Sequence, residues 1–174
     1  MNSIRDDARI VVVLDRLHAA SEAQEAANAA YLAGAGSRTT VGSEADWQEG
    51  RPFWRDKYVA LERDKAELCY LLCRARGARR VFEAGTSFGV STIYLAAAVR
   101  DNGGGTVIGA EIETDKATAA RQHFAEAGVD GLIELRDGDI RTAISPHDGP
   151  IDLLLLDIWV PMVRPVVEQV APLM

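Results

Sequence analysis

The chain has 174 residues, 48 % of them hydrophobic and 26 % charged, which suits one domain with an ordinary core. Nineteen Lys and Arg against 26 Asp and Glu give a net charge of −7. No basic stripe breaks that acidic balance, so neither nucleic acid nor an anionic membrane surface is an expected partner. No stretch reaches membrane-spanning length. The apolar run IVVVL at 10–14 is too short for a secretory core and follows Asp6 and Asp7, so a cytoplasmic protein is expected. Cys69 and Cys73 lie four apart in a helical pattern with no second pair of ligands, as expected of reduced core thiols.

In chain order, residues 4–32 read as one helix, with Ile10, Val13, Leu14 and Leu17 at helical spacing and an Ala-rich continuation to Tyr31 and Leu32. Residues 33–51 are rich in Gly, Ser and Thr without a period and read as a loop. The aromatic cluster Trp47, Phe53, Trp54 and Tyr58 either packs this N-terminal segment on the domain or forms a lid over a pocket. Asp64 and Glu67 have capping-box spacing before a predicted apolar face of Leu68, Leu71, Leu72 and Ala75, and Gly77 is placed to end that helix. His18 and His123 fall on predicted helices and are expected to face solvent; His147 falls in a loop and is expected at the surface.

From residue 80 strands and helices alternate. Strands are predicted at 80–84, 106–112, 132–135 and 151–157. Helices are predicted at 89–100, 115–127 and 162–173, with a helical turn at 140–144. The alternation predicts an α/β fold, a Rossmann-like parallel sheet with flanking helices and an N-terminal helical extension. The expected division is an N-terminal helical or lid segment at 1–63 and a ligand-binding domain at 64–174. The run LLLL at 153–156 suits a strand buried on both faces. A fourth strand left as the sheet edge would need a cover, from further chain or from a partner subunit.

Ligands of such sheets bind outside the carboxyl ends of the strands. Glu83, Glu111, Asp139 and Asp157 are all predicted at or just past those ends. The turn in VFEAGTSFGV, residues 81–90, differs from a dinucleotide fingerprint: Gly85 and Gly89 are separated by Thr86, Ser87 and Phe88, and Glu83 would repel a pyrophosphate. The two glycines allow close approach of a ligand, and the helix start offers free N–H groups to an anion. Glu111 is placed to accept the hydroxyls of a ribose. Asp139 can accept from an exocyclic amine of a base that Ile140 covers, or cap the helical turn that follows; the two roles are compatible.

Four stretches in order carry a family resemblance: VFEAGTSFGVST, GAEIETD, LRDGDI and LLLLDIW. From about Asp64 to Met174 the chain resembles a class I S-adenosylmethionine-dependent methyltransferase, of the small O-methyltransferase type that acts on catechol or caffeoyl-coenzyme A. The resemblance implies Glu83 and Gly85 along the methionine part of S-adenosylmethionine, and Ser87, the Gly89 helix start and Ser91 at its carboxylate. It implies Glu111 at the ribose, Asp139, Ile140 and Arg141 around the adenine, and Trp159 stacked on it. Asp157 would lie nearest the methyl group as the catalytic residue, where family members use it as a magnesium ligand. Metal-dependent relatives complete that site with an Asp-Asn pair on a fifth strand, for which the sequence to Met174 has no counterpart. They also carry a lysine where Val160 stands, so magnesium assistance is left open. The expected acceptor is a small hydroxylated metabolite, and a homodimer is expected by the same likeness. Two alternatives stay open: a non-catalytic member of the fold that binds cofactor or a partner chain, and a nicotinamide-dependent oxidoreductase.

Overall fold

The computed structural model describes residues 4–35, 43–145 and 148–174. Four strands, β1 (Arg80–Ala84), β2 (Thr106–Glu111), β3 (Ile133–Asp137) and β4 (Leu153–Leu156), form one parallel sheet in the order β3-β2-β1-β4. The order reverses at the β1/β4 pair, so the crevice opens at the carboxyl ends of those two strands.

Side chains alternate across the sheet with period two. On one face Val81, Val107, Leu153 and Leu155 join a core built with α1 (Ala8–Glu22), α4 (Arg63–Arg76), α5 (Val90–Asp101) and α6 (Thr114–Ala127). On the other face Phe82, Ile108, Leu154 and Leu156 pack with α7 (Ile140–Ala143), α8 (Val160–Val170) and Trp47 of α3 (Glu44–Trp54). α5 is buried along almost its whole length because Ala96, Ala97 and Ala98 let neighbouring elements approach closely.

Several expectations change here. The helix predicted over 4–32 is two: α1 ends at Glu22 and α2 (Glu25–Ala35) begins after a turn. The loop predicted over 33–51 contains most of α3, residues 44–51. Its start is a capping box in which the Ser43 hydroxyl receives Asp46 N–H and Asp46 receives Ser43 N–H. An Asp at the third position, Gly50, and Pro52 inside the helix hid the signal. The capping box expected at Asp64 and Glu67 is absent. Glu62 is the N-cap without a side-chain bond, and Glu67 pairs with Arg5.

The apolar face predicted for α4 is turned outward. Leu68, Leu71 and Leu72 are 54, 58 and 53 % exposed, whereas Ala66, Tyr70 and Cys73 are buried. α4 packs mainly on α5, and the charges of Lys65 and Arg76 act on Asp157 and Asp152, which flank β4. β4 is the sheet edge among the described residues, and Leu153–Leu156 are only partly buried, not enclosed on both faces. Gly77 ends α4 in the left-handed conformation, as the sequence predicts. Cys69 and Cys73 are free thiols. His18 and His123 are 4 and 9 % exposed rather than solvent-facing. His18 Nε2 lies 3.4 Å from the Tyr94 hydroxyl, and His123 Nδ1 lies 2.9 Å from the Phe88 carbonyl. His147 lies outside the described residues.

Candidate functional site

A cavity of about 440 Å³ opens at the carboxyl ends of the strands. Its floor carries Gly85, Ser87, Glu111 and Asp157; its sides carry Asp139, Ile140, Trp159 and Lys116; α3 closes one wall with Trp47, Arg51 and Trp54. The strand ends thus bring together most of the residues picked out from the sequence. Glu83, Gly89, Ser91 and Arg141 are not on this wall.

Glu83 is fully buried beneath the turn. Its Oε1 accepts the Ser91 hydroxyl at 2.6 Å, and its Oε2 accepts the Thr86 hydroxyl at 3.1 Å and that of Thr92. Gly109 of β2 makes the space: a Cβ there would lie 2.5 Å from Thr86 Oγ1. Glu83, expected to line the ligand, ties the turn to the first turn of α5, and the Ser91 hydroxyl donates to it. Desolvation raises the Glu83 carboxyl and outweighs the three hydroxyl donors, leaving it at about 7; the nearby charge of Asp157 adds to the rise.

The glycines also have a packing role. Gly85 has φ +94°, and a Cβ on it would lie 2.2 Å from the Asp157 carbonyl oxygen. Gly89 has φ +89°, and a Cβ on it would lie 2.3 Å from the Phe124 ring. The absent side chain of Gly85 admits the end of β4, and that of Gly89 admits α6; of the two, only Gly85 borders the cavity.

Ser87 is the one described non-glycine residue with positive φ, +51°. Its N–H donates to Glu111 Oε2 at 2.7 Å, which helps hold the conformation, and Glu113 N–H donates to Oε1 at 2.8 Å. Two backbone donors fix the Glu111 carboxylate at the cavity floor. Each of its oxygens keeps acceptor capacity for a ligand hydroxyl.

Asp139 caps α7, accepting Arg141 N–H at 2.9 Å, and is clasped by the Arg141 guanidinium, which holds its carboxyl below the usual range. Arg141 also pairs with Glu44 of α3, so it acts behind the wall. Trp159 meets Trp54 edge-on at 6.1 Å. Asp157 is reached by solvent, yet it sits in a recess. Burial raises its carboxyl and Lys65 partly offsets the rise.

Among the described residues no three His, Cys, Asp or Glu side chains are placed to hold a metal ion. Magnesium prefers octahedral oxygen coordination, and Asp157 would stand as a single protein ligand, so the described residues do not assemble that site. The wall residues Arg51, Lys116 and Met162 were missed in the sequence. Lys116, five residues past Glu111 in the first turn of the next helix, carried the one usable signal.

A family model described as a methyltransferase domain matches residues 82–174, more than half of the chain, and the chain belongs to that family. A protein named as a probable O-methyltransferase from Mycobacterium tuberculosis (strain ATCC 25618 / H37Rv) is 38 % identical over 96 residues, 53 % of this chain and 41 % of the relative. The chain therefore spans about two fifths of that curated relative's length. The O-methyltransferase TomG of Streptomyces achromogenes, solved with S-adenosylmethionine and involved in tomaymycin synthesis, superposes with a TM-score of 0.62 at 28 % identity, over 88 % of this chain and 69 % of that one. An O-methyltransferase of Bacillus cereus, solved with S-adenosylhomocysteine, gives 0.59 at 25 % identity over 66 % and 53 %.

The raised Glu83 carboxyl gives a pH signature. The folded form binds its proton more tightly than the unfolded chain, so this contribution to stability is complete below the ordinary value of 4.5. It is lost as pH climbs to about 7. Glu83→Gln is expected to flatten that decline, which is on the order of 3 kcal/mol for this group. Denaturation midpoints of both proteins between pH 4 and 8 check it; parallel profiles would contradict the assignment.

Proposed function

We propose that the chain binds S-adenosylmethionine and transfers its methyl group to an oxygen of a small hydroxylated metabolite. The observation that carries this proposal is the Glu111 carboxylate, fixed by two backbone N–H groups in the wall of a strand-end cavity. Glu111 takes the ribose hydroxyls. Ile140 and Trp159 sandwich the adenine, and Asp139 accepts from its amine. Gly85 and Ser87 lie along the methionine part, with Asp157 beside the methyl group. Glu83, Ser91 and Arg141 act through the residues they hold.

Asp157 on the cavity wall and Glu83 buried behind the turn both have carboxyls raised by burial, and a cation bound in the cavity near Asp157 would be stabilised by both. That favours a sulfonium and an ammonium over a pyrophosphate. The transfer is an in-line displacement in which the acceptor oxygen attacks the methyl carbon and the thioether leaves. Holding the two reactants in line supplies much of the rate, as much as about 7–11 kcal/mol for well-oriented pairs. Asp157, with its raised carboxyl, is the group placed to receive the hydroxyl proton. Residues 1–63 serve as the helical segment that closes the cavity, and 64–174 as the cofactor-binding domain; the wall supplied by α3 supports this division.

The reading extends to a homodimer in the cytoplasm. The partly exposed β4 edge and the exposed Leu68, Leu71 and Leu72 of α4 support association. The two free thiols fit a reducing compartment. No helix among the described residues is long and apolar enough to cross a membrane, and the acidic balance gives nucleic acid no footprint.

Calorimetry with S-adenosylhomocysteine and NAD is expected to show binding of the first alone. Glu111→Ala should weaken it by about 1–3 kcal/mol, the cost of leaving hydroxyls unpaired. Binding of NAD in place of the homocysteine compound, or an unchanged affinity in the variant, would overturn the assignment. Light scattering should give twice the chain mass, and a stably folded monomer would contradict the dimer.

A further inference from the structure

Lys116 lies in the first turn of α6 and is 7 % exposed. It borders the cavity, with its ammonium 5.4 Å from the centre of the Phe88 ring. That ring is itself fixed. It stacks on Tyr58 at 3.7 Å with 7° between planes, and the Phe88 carbonyl accepts from His123. The ammonium therefore rests on an immobile aromatic face, which attracts a cation but does not neutralise it.

A buried ammonium is costly unless it is paired, and burial lowers the Lys116 amine from its ordinary value. Three carboxylates act on it: Glu111, Glu113 and Asp56, with the cation of Lys57 opposing them. All three are engaged elsewhere. Glu111 accepts from Ser87 and Glu113 N–H, Glu113 pairs with Arg51, and Asp56 pairs with Lys57. Lys116 has no ion pair among the described residues. Of the cavity-wall cations it is the one without an ion pair among the described residues, since Arg51 and Arg55 pair with Glu113 and Asp115.

We propose that Lys116 binds a carboxylate of a ligand held in the cavity. One negative charge matches one ammonium. A phosphate dianion would meet Glu111 and Glu113 with twice the like charge of a carboxylate. The proposal rests on the methyl-donor reading of the cavity. The carboxylate has two possible sources there: the amino-acid end of the cofactor and an acid group on the acceptor.

Calorimetry on wild type, Lys116→Met and Lys116→Arg separates them with two ligand pairs. S-adenosylhomocysteine is compared with methylthioadenosine, which lacks the carboxylate and the amine. On protein saturated with S-adenosylhomocysteine, 3,4-dihydroxybenzoate is compared with catechol. Lys116→Met is expected to weaken the charged member of one pair at least about tenfold, leave its neutral partner unchanged, and be rescued by Lys116→Arg. A loss confined to the first pair assigns the cofactor, and one confined to the second assigns an acidic acceptor. Thermal melts check that the variants fold, with Lys116→Gln in reserve should the Met variant lose its cooperative transition. Equal affinities in wild type and variant, or equal losses for charged and neutral members, overturn the proposal. So does an unchanged first pair in a protein that takes no dihydroxybenzoate. Failure of wild type to bind S-adenosylhomocysteine would defeat the methyl-donor reading itself and this inference with it.

Discussion

A carboxylate with no access to water, held by three hydroxyls, sets the shape of this molecule's ligand end. Glu83 leaves the sheet on β1 and is met by Thr86 from the turn and by Ser91 and Thr92 from α5. Those bonds fix where α5 begins relative to the strand. The same turn places Ser87 N–H on Glu111, which passes the constraint to the end of β2. Because Gly85 has no side chain, the end of β4 comes in against the turn and Asp157 with it. Three strand ends are thus arranged around one buried carboxyl. The three hydrogen bonds offset part of its desolvation, which still leaves the carboxyl raised.

The upper half of the cavity is held instead by ion pairs and aromatic contacts of α3. α3 is tied to α7 through Glu44 and Arg141, and to the start of α6 through Arg51 and Glu113. Trp47 sinks into the core on that face and Trp54 meets Trp159. These attachments use the same short segments that carry Asp139, Glu113 and Trp159. A rearrangement of α3 would therefore be felt by the walls against which a base and a ribose would rest. Charged pairs at such an edge are individually weak, so the aromatic contacts carry most of the attachment.

Much of this was legible in the sequence because it is periodic. Strands and helices from residue 80 onward follow from alternating and helical spacing, and the four strand-end acids follow from where the strands stop. Glu83 was recognised as discordant with a phosphate, but its partners were not visible. Nothing in sequence spacing says that Thr86, Ser91 and Thr92 converge on one point. The helix α3 was hidden by Gly50 and Pro52, and its function as a wall depends on contacts about 60 to 100 residues away, to Glu113 and Arg141. The apolar face of α4 was misjudged for a related reason. Periodicity finds a stripe of leucines but not which neighbour lies opposite, and here small residues and Tyr70 face inward. Lys116 stands out only through its burial and the commitments of its neighbours, neither of which spacing alone reveals.

The most direct measurement is a crystal structure of the chain grown with S-adenosylhomocysteine. The ribose hydroxyls should lie on Glu111, the adenine against Ile140 and Trp159, and the sulfur next to Asp157, with Glu83 still buried under its three hydroxyls. A ligand bound elsewhere, or a Glu83 that leaves its hydroxyls to touch the ligand, would contradict the account.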